Sequence, residues 1–348
     1  MRAPQHLPVT HLVGVLVAAA LVLPRVASAD GSHQGWTYLI DRLISDGLDP
    51  ARVTRVFDDP RMEPFDGLEF GLHPRESHAI YRGFLRAPSL AAARRCRRDH
   101  ADVLEAAERS TGVSASLVTA ILHVETGCGR NTGSSPLVYR LARLAMANEP
   151  SNLAANMERL TSEAPSPDVA RQVKARAQYL EDTFYPEVRA VFELSDRLGV
   201  DLLELRGSGS GAFGYPQFLP TSYLRFGMDG SGDGRVDLFD IGDASASCAN
   251  YLAAQGWRKG LTESQRRAVI WRYNRSDAYV STVLALARSL DGEPVGTTPR
   301  SAKRAPARTR RAAASRKAAK EKKTVSKENP KRAQPPSTKR VKRTTKTG

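Results

Sequence analysis

The segment Val113-Ser-Ala-Ser-Leu-Val-Thr-Ala-Ile-Leu-His-Val-Glu125-Thr-Gly-Cys-Gly129 constrains this chain more than any other. Val118, Ile121, Leu122 and Glu125 follow helical i, i+3, i+4, i+7 spacing, which predicts a helix carrying a carboxylate on its apolar face. Ser114 is placed to cap the start, and Gly127 with Gly129 to end the helix directly after the acid. Alternating strand patterns are nearly absent from the rest of the chain, so the expected fold is mainly α. A carboxyl group at the mouth of an apolar helix end is expected to lose hydration, which raises a carboxylate pKa toward neutrality. Such a group can hold a proton near pH 7 and donate it to a leaving oxygen. A structural carboxylate paired with one of the many arginines is the other reading, and this helix alone does not choose between them.

Trp36, Leu39, Ile40, Leu43 and Ile44 form a second helical stripe within 34–60. Residues 60–78, rich in Pro, Gly and His, are expected to be irregular. Helices are predicted from Ser89 to Gly112, over Leu137–Ala147 and over Asn152–Leu160. A loop follows at Ala164-Pro-Ser-Pro167, and then a long helical region Val169–Leu198 interrupted near Pro186.

The two ends of the chain read differently. Residues 1–29 have the form of a signal peptide: Arg2, the apolar run His11 to Leu23, then Ala27-Ser28-Ala29 before Asp30. The run is short for a membrane span, so the mature form is expected to be exported without a transmembrane segment, to the periplasm or cell envelope. The formal charge of +15 is a tail property. Residues 300–348 hold 19 Lys/Arg against 2 Asp/Glu, whereas the remainder holds 33 against 35. With almost no large apolar side chain, 292–348 is expected to be a disordered basic tail. It has no aromatics to stack on bases, so an envelope polyanion is the favoured electrostatic partner over specific nucleic acid. A merely solubilising tail is equally compatible. The catalytic domain is accordingly expected at 30–291. Cys96, Cys128 and Cys248 allow one disulfide in an exported protein, in a pairing the sequence leaves open.

Two loops carry the remaining chemistry. Arg206-Gly-Ser-Gly-Ser-Gly-Ala-Phe-Gly-Tyr-Pro-Gln217 lacks the lysine of a phosphate loop and follows no strand, which argues against nucleotide binding. Its glycines are expected to admit a flat ligand such as a sugar ring close to the backbone. Phe213, Tyr215 and Phe218 argue against a flexible linker. Asp229-Gly-Ser231-Gly-Asp233-Gly-Arg235-Val-Asp237-Leu-Phe-Asp240 matches an EF-hand loop, with oxygen side chains at positions 1, 3, 5, 9 and 12 and glycine at 6. Position 12 is Asp, one methylene shorter than the usual Glu. The sequence leaves open whether Asp240 or Asp243 closes the site; with Asp243 as the ligand, Asp240 is expected to cap the helix Ile241–Gln255. The expected calcium ligands are Asp229, Ser231, Asp233, Arg235 through its carbonyl, and Asp243.

Together these blocks resemble the B-type lytic murein transglycosylases, which cleave peptidoglycan glycan strands. The similarity rests on His123-Val-Glu125-Thr-Gly-Cys-Gly129, on Gly211-Ala-Phe-Gly-Tyr-Pro-Gln-Phe-Leu-Pro-Thr-Ser-Tyr223 with Ala249-Asn-Tyr-Leu-Ala-Ala-Gln-Gly-Trp257, and on Tyr273-Asn274-Arg-Ser-Asp-Ala-Tyr279. It covers roughly 33–290. Cys128 and Pro216 depart from the family pattern. The resemblance implies a lysozyme-like helical catalytic core with an inserted calcium loop, and Glu125 as the single catalytic acid/base. The calcium is expected to be structural because the loop precedes the helix carrying Tyr251. It also implies that Ser208, Gln217, Tyr251, Asn274 and Tyr279 contact substrate. One glutamate suffices where the muramoyl 6-hydroxyl attacks C1 and a 1,6-anhydro ring forms. A water-using muramidase would need a second acid such as Asp277. A weakly catalytic wall-binding protein is the rival from another class. His123, offset by two residues from Glu125, is read as structural.

Overall fold

The computed structural model describes residues 32–72 and 78–293, all within one compact unit. The signal-peptide segment 1–29 and the basic tail from 294 onward lie outside the described residues. The chain is built from helices α1 Thr37–Ser45, α2 Pro50–Phe57, α3 His78–Tyr81, α4 Ala87–Asp99, α5 Ala101–Thr111, α6 Ala115–Thr126 and α7 Leu137–Ala145. There follow α8 Pro150–Glu163, α9 Val169–Leu198, α10 Pro220–Phe226, α11 Ile241–Ala254, α12 Glu263–Tyr273 and α13 Asp277–Leu290. The strands among the described residues are two-residue pieces, β1 Ser135–Pro136 and β2 Arg206–Gly207, paired antiparallel with Ser135 opposite Gly207. The mainly α expectation is met.

The acid-bearing helix α6 is more deeply placed than an amphipathic reading implies. Every residue from Ala115 to His123 is buried, because α4, α5, α11 and α13 pack around it. A helix apolar on all sides belongs in a core rather than on a surface. Its two ends follow the local rules: the Ser114 hydroxyl accepts from the Leu117 N–H at 3.3 Å, and Gly127 caps the far end at φ 63°.

Two predicted elements differ. The helical run Ser89–Gly112 is broken at His100 (φ −122°, ψ 31°), which ends α4 and begins α5. No glycine or proline marks the break. Its cause is tertiary: α4 packs on α6 and α13 while α5 packs on α11, and one straight helix does not reach both neighbours. Conversely, Pro186 does not interrupt α9, which runs unbroken for 30 residues. Pro186 and Asp182 both face solvent, so the carbonyl that loses its partner is on the wet side. The buried stripe Val173, Ala177, Leu180, Phe184, Val188, Val191 and Ser195 keeps its spacing across the proline. Burying it against α7, α8 and α10 offsets a cost of about 3 kcal/mol for an interior proline.

Candidate active site

Glu125 lies in the last turn of α6, half-buried, where the helix emerges from the core. The turn after it is tightly made. The Gly127 N–H donates to the His123 carbonyl at 2.9 Å and the Cys128 N–H to the Leu122 carbonyl at 3.0 Å. The Gly129 N–H donates to the Thr126 hydroxyl oxygen at 2.9 Å, and that oxygen lies 3.0 Å from the Tyr215 carbonyl. Gly129 is required here: a Cβ would stand 2.0 Å from the Tyr215 ring, and its φ is +81°.

The partner of the acid comes from the far end of the sequence. Ser276 caps α13, its hydroxyl accepting from the Tyr279 N–H at 3.2 Å, and this sets the Tyr279 side chain toward α6. The Tyr279 phenol donates to Glu125 Oε1 at 2.7 Å. Tyr279 is fully enclosed: Tyr273 stacks on it at 6.4 Å and Tyr81 meets it edge-on at 6.0 Å. Burial, and then the Glu125 charge beside it, hold the Tyr279 phenol well above the usual tyrosine range. It therefore remains a proton-bearing donor at every working pH. Tyr273 is shifted the same way, chiefly by burial, and its hydroxyl donates to the Pro216 carbonyl. The buried Cys248 thiol sits against Tyr273 and is likewise pushed up by burial. The acid thus stands at the rim of an aromatic cluster contributed by α3, α11, α12 and α13.

The other residues singled out in the sequence are distributed unevenly around this cluster. Asn274 is buried at the C-terminal cap of α12, one residue after Tyr273. Gln217, at φ 50°, spends its amide internally, donating to the carbonyls of Thr132 at 3.1 Å and Gly214 at 2.9 Å. It ties the glycine loop to the segment following Glu125. Ser208 closes that loop, its hydroxyl accepting from the Ala212 N–H at 3.2 Å. Tyr251 is buried within the ring cluster of Phe218, Phe226 and Tyr273, and its hydroxyl donates to the Arg272 carbonyl at 2.7 Å. Asp277 is exposed and engaged by Arg267 at 3.1 Å.

Gly207, Gly211 and Gly214 serve the protein's own packing, which corrects the expectation of open backbone at these three positions, whereas a Cβ at Gly209 would meet nothing within 4 Å. A Cβ at Gly211 would lie 2.3 Å from Leu141, and one at Gly214 2.4 Å from Leu238. Phe213 and Phe218 are buried and joined by paired backbone hydrogen bonds, so the segment is a fixed wall. Sequence reasoning passed over Thr126, Tyr81 and Tyr273 as site residues. Only Tyr273 carried a local signal, its place beside Asn274.

In the acidic loop, Asp229, Asp233 and Asp243 each bring a carboxylate oxygen to within 4.8 Å of the others. Asp240 caps α11 by accepting from the Gly242 and Asp243 N–H groups, as expected from its shorter side chain. Asp243, nearly inaccessible, organises the loop: its carboxylate accepts from the N–H groups of Gly230 and Ser231 at 2.8 Å and of Asp237 at 2.7 Å. The N–H groups of Gly234 and Gly232 hold the Asp229 carboxyl below its ordinary range. Convergent, hard carboxylate oxygen donors fit a calcium-sized cation. Ser231 is part of the same turn, its hydroxyl 3.3 Å from Asp229. Arg235 donates its N–H to Asp233 at 2.8 Å and extends into solvent.

Cys96 and Cys128 form a disulfide, and Cys248 is free and buried. His123 is structural in its setting: its Nε2 lies 2.8 Å from the Ser89 hydroxyl and Phe84 packs edge-on against the ring. Burial, with the nearby Arg130 charge, pushes its pKa down to about 4, so the imidazole stays neutral.

A family model described as a transglycosylase SLT domain matches residues 31–266. The membrane-bound lytic murein transglycosylase B of Escherichia coli K12 is 34% identical over 159 residues, which is 46% of this chain and 36% of that relative. The chain therefore aligns with little more than a third of that relative's length. Among solved structures, the Escherichia coli lytic transglycosylase SLT35 in complex with calcium superposes with a TM-score of 0.54 at 21% identity, covering 74% of this chain and 92% of that one. Soluble lytic transglycosylase SltB1 from Pseudomonas aeruginosa gives 0.55 at 22% identity, covering 74% and 98%. SltB3 from Pseudomonas aeruginosa, in complex with NAG-anhNAM-pentapeptide, gives 0.54 at 21%, covering 76% and 80%. These likenesses carry the fold, and the family match over more than half of the chain carries membership: this protein belongs to the transglycosylase SLT domain family.

Proposed function

We propose that this protein is a peptidoglycan lytic transglycosylase in which Glu125 is the single acid/base. The observation that carries the reading is the Tyr279–Glu125 hydrogen bond at 2.7 Å, formed at the half-buried exit of a core helix. A donor aimed at the carboxylate fixes its direction, and a partly desolvated acid beside enclosed phenols is placed for proton transfer. Glu125 in its acid form gives its proton to the glycosidic oxygen as the β-1,4 bond from N-acetylmuramic acid C1 to N-acetylglucosamine breaks. The carboxylate then takes the proton of the muramoyl 6-hydroxyl, whose oxygen attacks C1. The products are a 1,6-anhydromuramoyl end and a free 4-hydroxyl, with no water consumed. Asp277, the second acid a hydrolytic route would use, is exposed and held by Arg267, which favours the one-carboxylate route.

Family membership supports the activity, and the SltB3 structures with NAG-anhNAM-pentapeptide and NAG-NAM-pentapeptide support a glycan substrate bearing a peptide. In the reading proposed here Tyr279 acts on the sugar through its hydrogen bond to Glu125, while Asn274, Gln217, Ser208 and Tyr251 shape the cleft from within. Asp229, Ser231, Asp233, the Arg235 carbonyl and Asp243 would hold calcium in a structural role. That role is supported by the carboxylate convergence and by a solved relative described in complex with calcium. Export to the envelope and capture of polyanions by the basic tail complete the proposal.

The test is mass spectrometry of soluble products from purified peptidoglycan treated with the wild type and with Glu125→Gln. Products one water lighter than hydrolytic muropeptides, absent with the variant, are expected. Hydrated reducing ends would assign a muramidase. Absence of products from both proteins, with both still pelleting with the wall, would assign a binding protein.

A further inference from the structure

The turn that ends the acid-bearing helix is held from two sides. On the glycine-loop side the ties are non-covalent: Thr126 to the Tyr215 carbonyl, the Tyr215 ring over Gly129, and the Gln217 amide on the Thr132 carbonyl. On the α4 side the tie is covalent. The Cys96–Cys128 bond, with Cα atoms 6.5 Å apart, joins the last turn of α4 to a residue three positions after Glu125. Cys128 has φ 57°, a left-handed backbone that an L-residue with a Cβ adopts reluctantly, and the disulfide adds a covalent restraint there to the turn's own hydrogen bonds.

Helix α4 is also the element against which both members of the Glu125–Tyr279 pair are indexed. Its Ser89 hydroxyl meets His123 of α6 at 2.8 Å, and its Arg94 donates to the Ser289 hydroxyl of α13 at 3.1 Å. Ser89 fixes α6 before the acid, whereas the disulfide fixes the chain after it. Glu125 is therefore bracketed along one supporting helix that also braces the helix of its hydrogen-bond donor.

We propose that the Cys96–Cys128 disulfide is a positioning element for Glu125, holding the carboxylate in line with Tyr279 and the scissile bond. It acts through the backbone of the turn and does not touch substrate. The inference rests on the lytic reading above and adds to it a requirement that no other cysteine meets, since Cys248 is buried against Tyr273.

The experiment compares oxidised wild type, wild type treated with a mild thiol reductant, and a Cys96→Ala, Cys128→Ala double variant. Each is assayed on soluble glycan–peptide fragments below its melting midpoint, and each fold is checked by circular dichroism. The expected result is a kcat lower by about 10- to 100-fold in both bond-free forms, as for small misplacements of a reacting group, with KM within about twofold. The pH profile of kcat is expected to change in shape, and reductant should leave the double variant unaffected. Should the double variant fail to fold, the reduced wild type supplies the same comparison. An unchanged kcat and pH profile with a lowered melting temperature would overturn the inference, leaving the bond as a staple. Oxidised wild type that makes no products at all would overturn the lytic reading, and this inference with it.

Discussion

Glu187 gives a stability prediction with a defined sign. It lies on α9, almost inaccessible, and its carboxyl group accepts from the Thr221 N–H at 2.9 Å and from the Thr221 hydroxyl. Thr221 is in the first turn of α10, directly after the loop that carries Gln217 and Phe218, so the contact anchors one wall of the site. Burial raises the Glu187 pKa from 4.5 to about 7, against the lowering influence of Thr221. Between those values the unfolded chain releases its proton while the folded protein keeps one. Stability conferred by the neutral acid is thus fully present below pH 4.5 and is lost as pH rises through about 7. At 1.36 kcal/mol per pKa unit, the loss amounts to about 3 kcal/mol. Glu187→Gln keeps an acceptor for the Thr221 N–H but cannot ionise. Urea denaturation of both proteins at steps from pH 4.5 to 8 isolates the effect, because other groups cancel in the difference. The variant should gain about 3 kcal/mol on the wild type across that range, corresponding to about 6–10 °C in melting temperature. A difference that stays flat with pH would refute the argument that Glu187 is neutral in the folded state.

Tyr279→Phe keeps the buried ring and removes the donor to Glu125. A hydrogen bond to a charged group is worth about 1.5–3 kcal/mol, so lytic turnover should fall about 10- to 100-fold with the melting temperature little changed. A fall of less than twofold would remove Tyr279 from the acid's machinery. Calcium at about a hundredfold excess over its dissociation constant should raise wild-type stability by about 2.7 kcal/mol, read as a rise in melting temperature. Asp233→Asn should abolish that rise while leaving the calcium-free protein close to wild type, because the exposed Asp233 side chain accepts from the Arg235 N–H and an asparagine oxygen keeps that bond. Equal calcium responses in the two proteins would place the cation elsewhere.

What could be read from the sequence is what local physics decides. Ser114, Gly127 and Asp240 cap helices in the structure as their residue types and spacing require, because a cap needs only a hydroxyl or carboxylate, or a left-handed backbone, within one turn. The mainly helical class and the burial of Val118, Ile121 and Leu122 follow from periodicity in the same way. Side-chain length made Asp243 a candidate beside Asp240, and it is the fold that brings Asp243 to Asp229 and Asp233. What the sequence left open depends on contacts between distant segments. The break at His100 exists because α4 and α5 have different neighbours, and Pro186 is tolerated because a buried stripe continues on both sides of it. The pairing of Cys96 with Cys128 over Cys248 was decided by the packing of α4 against α6. Glu125 meets Tyr279 across 154 residues of chain. No local rule reaches that far, since the burial that brings α13 onto α6 is the sum of many weak, non-directional contacts made only when the whole helical core closes.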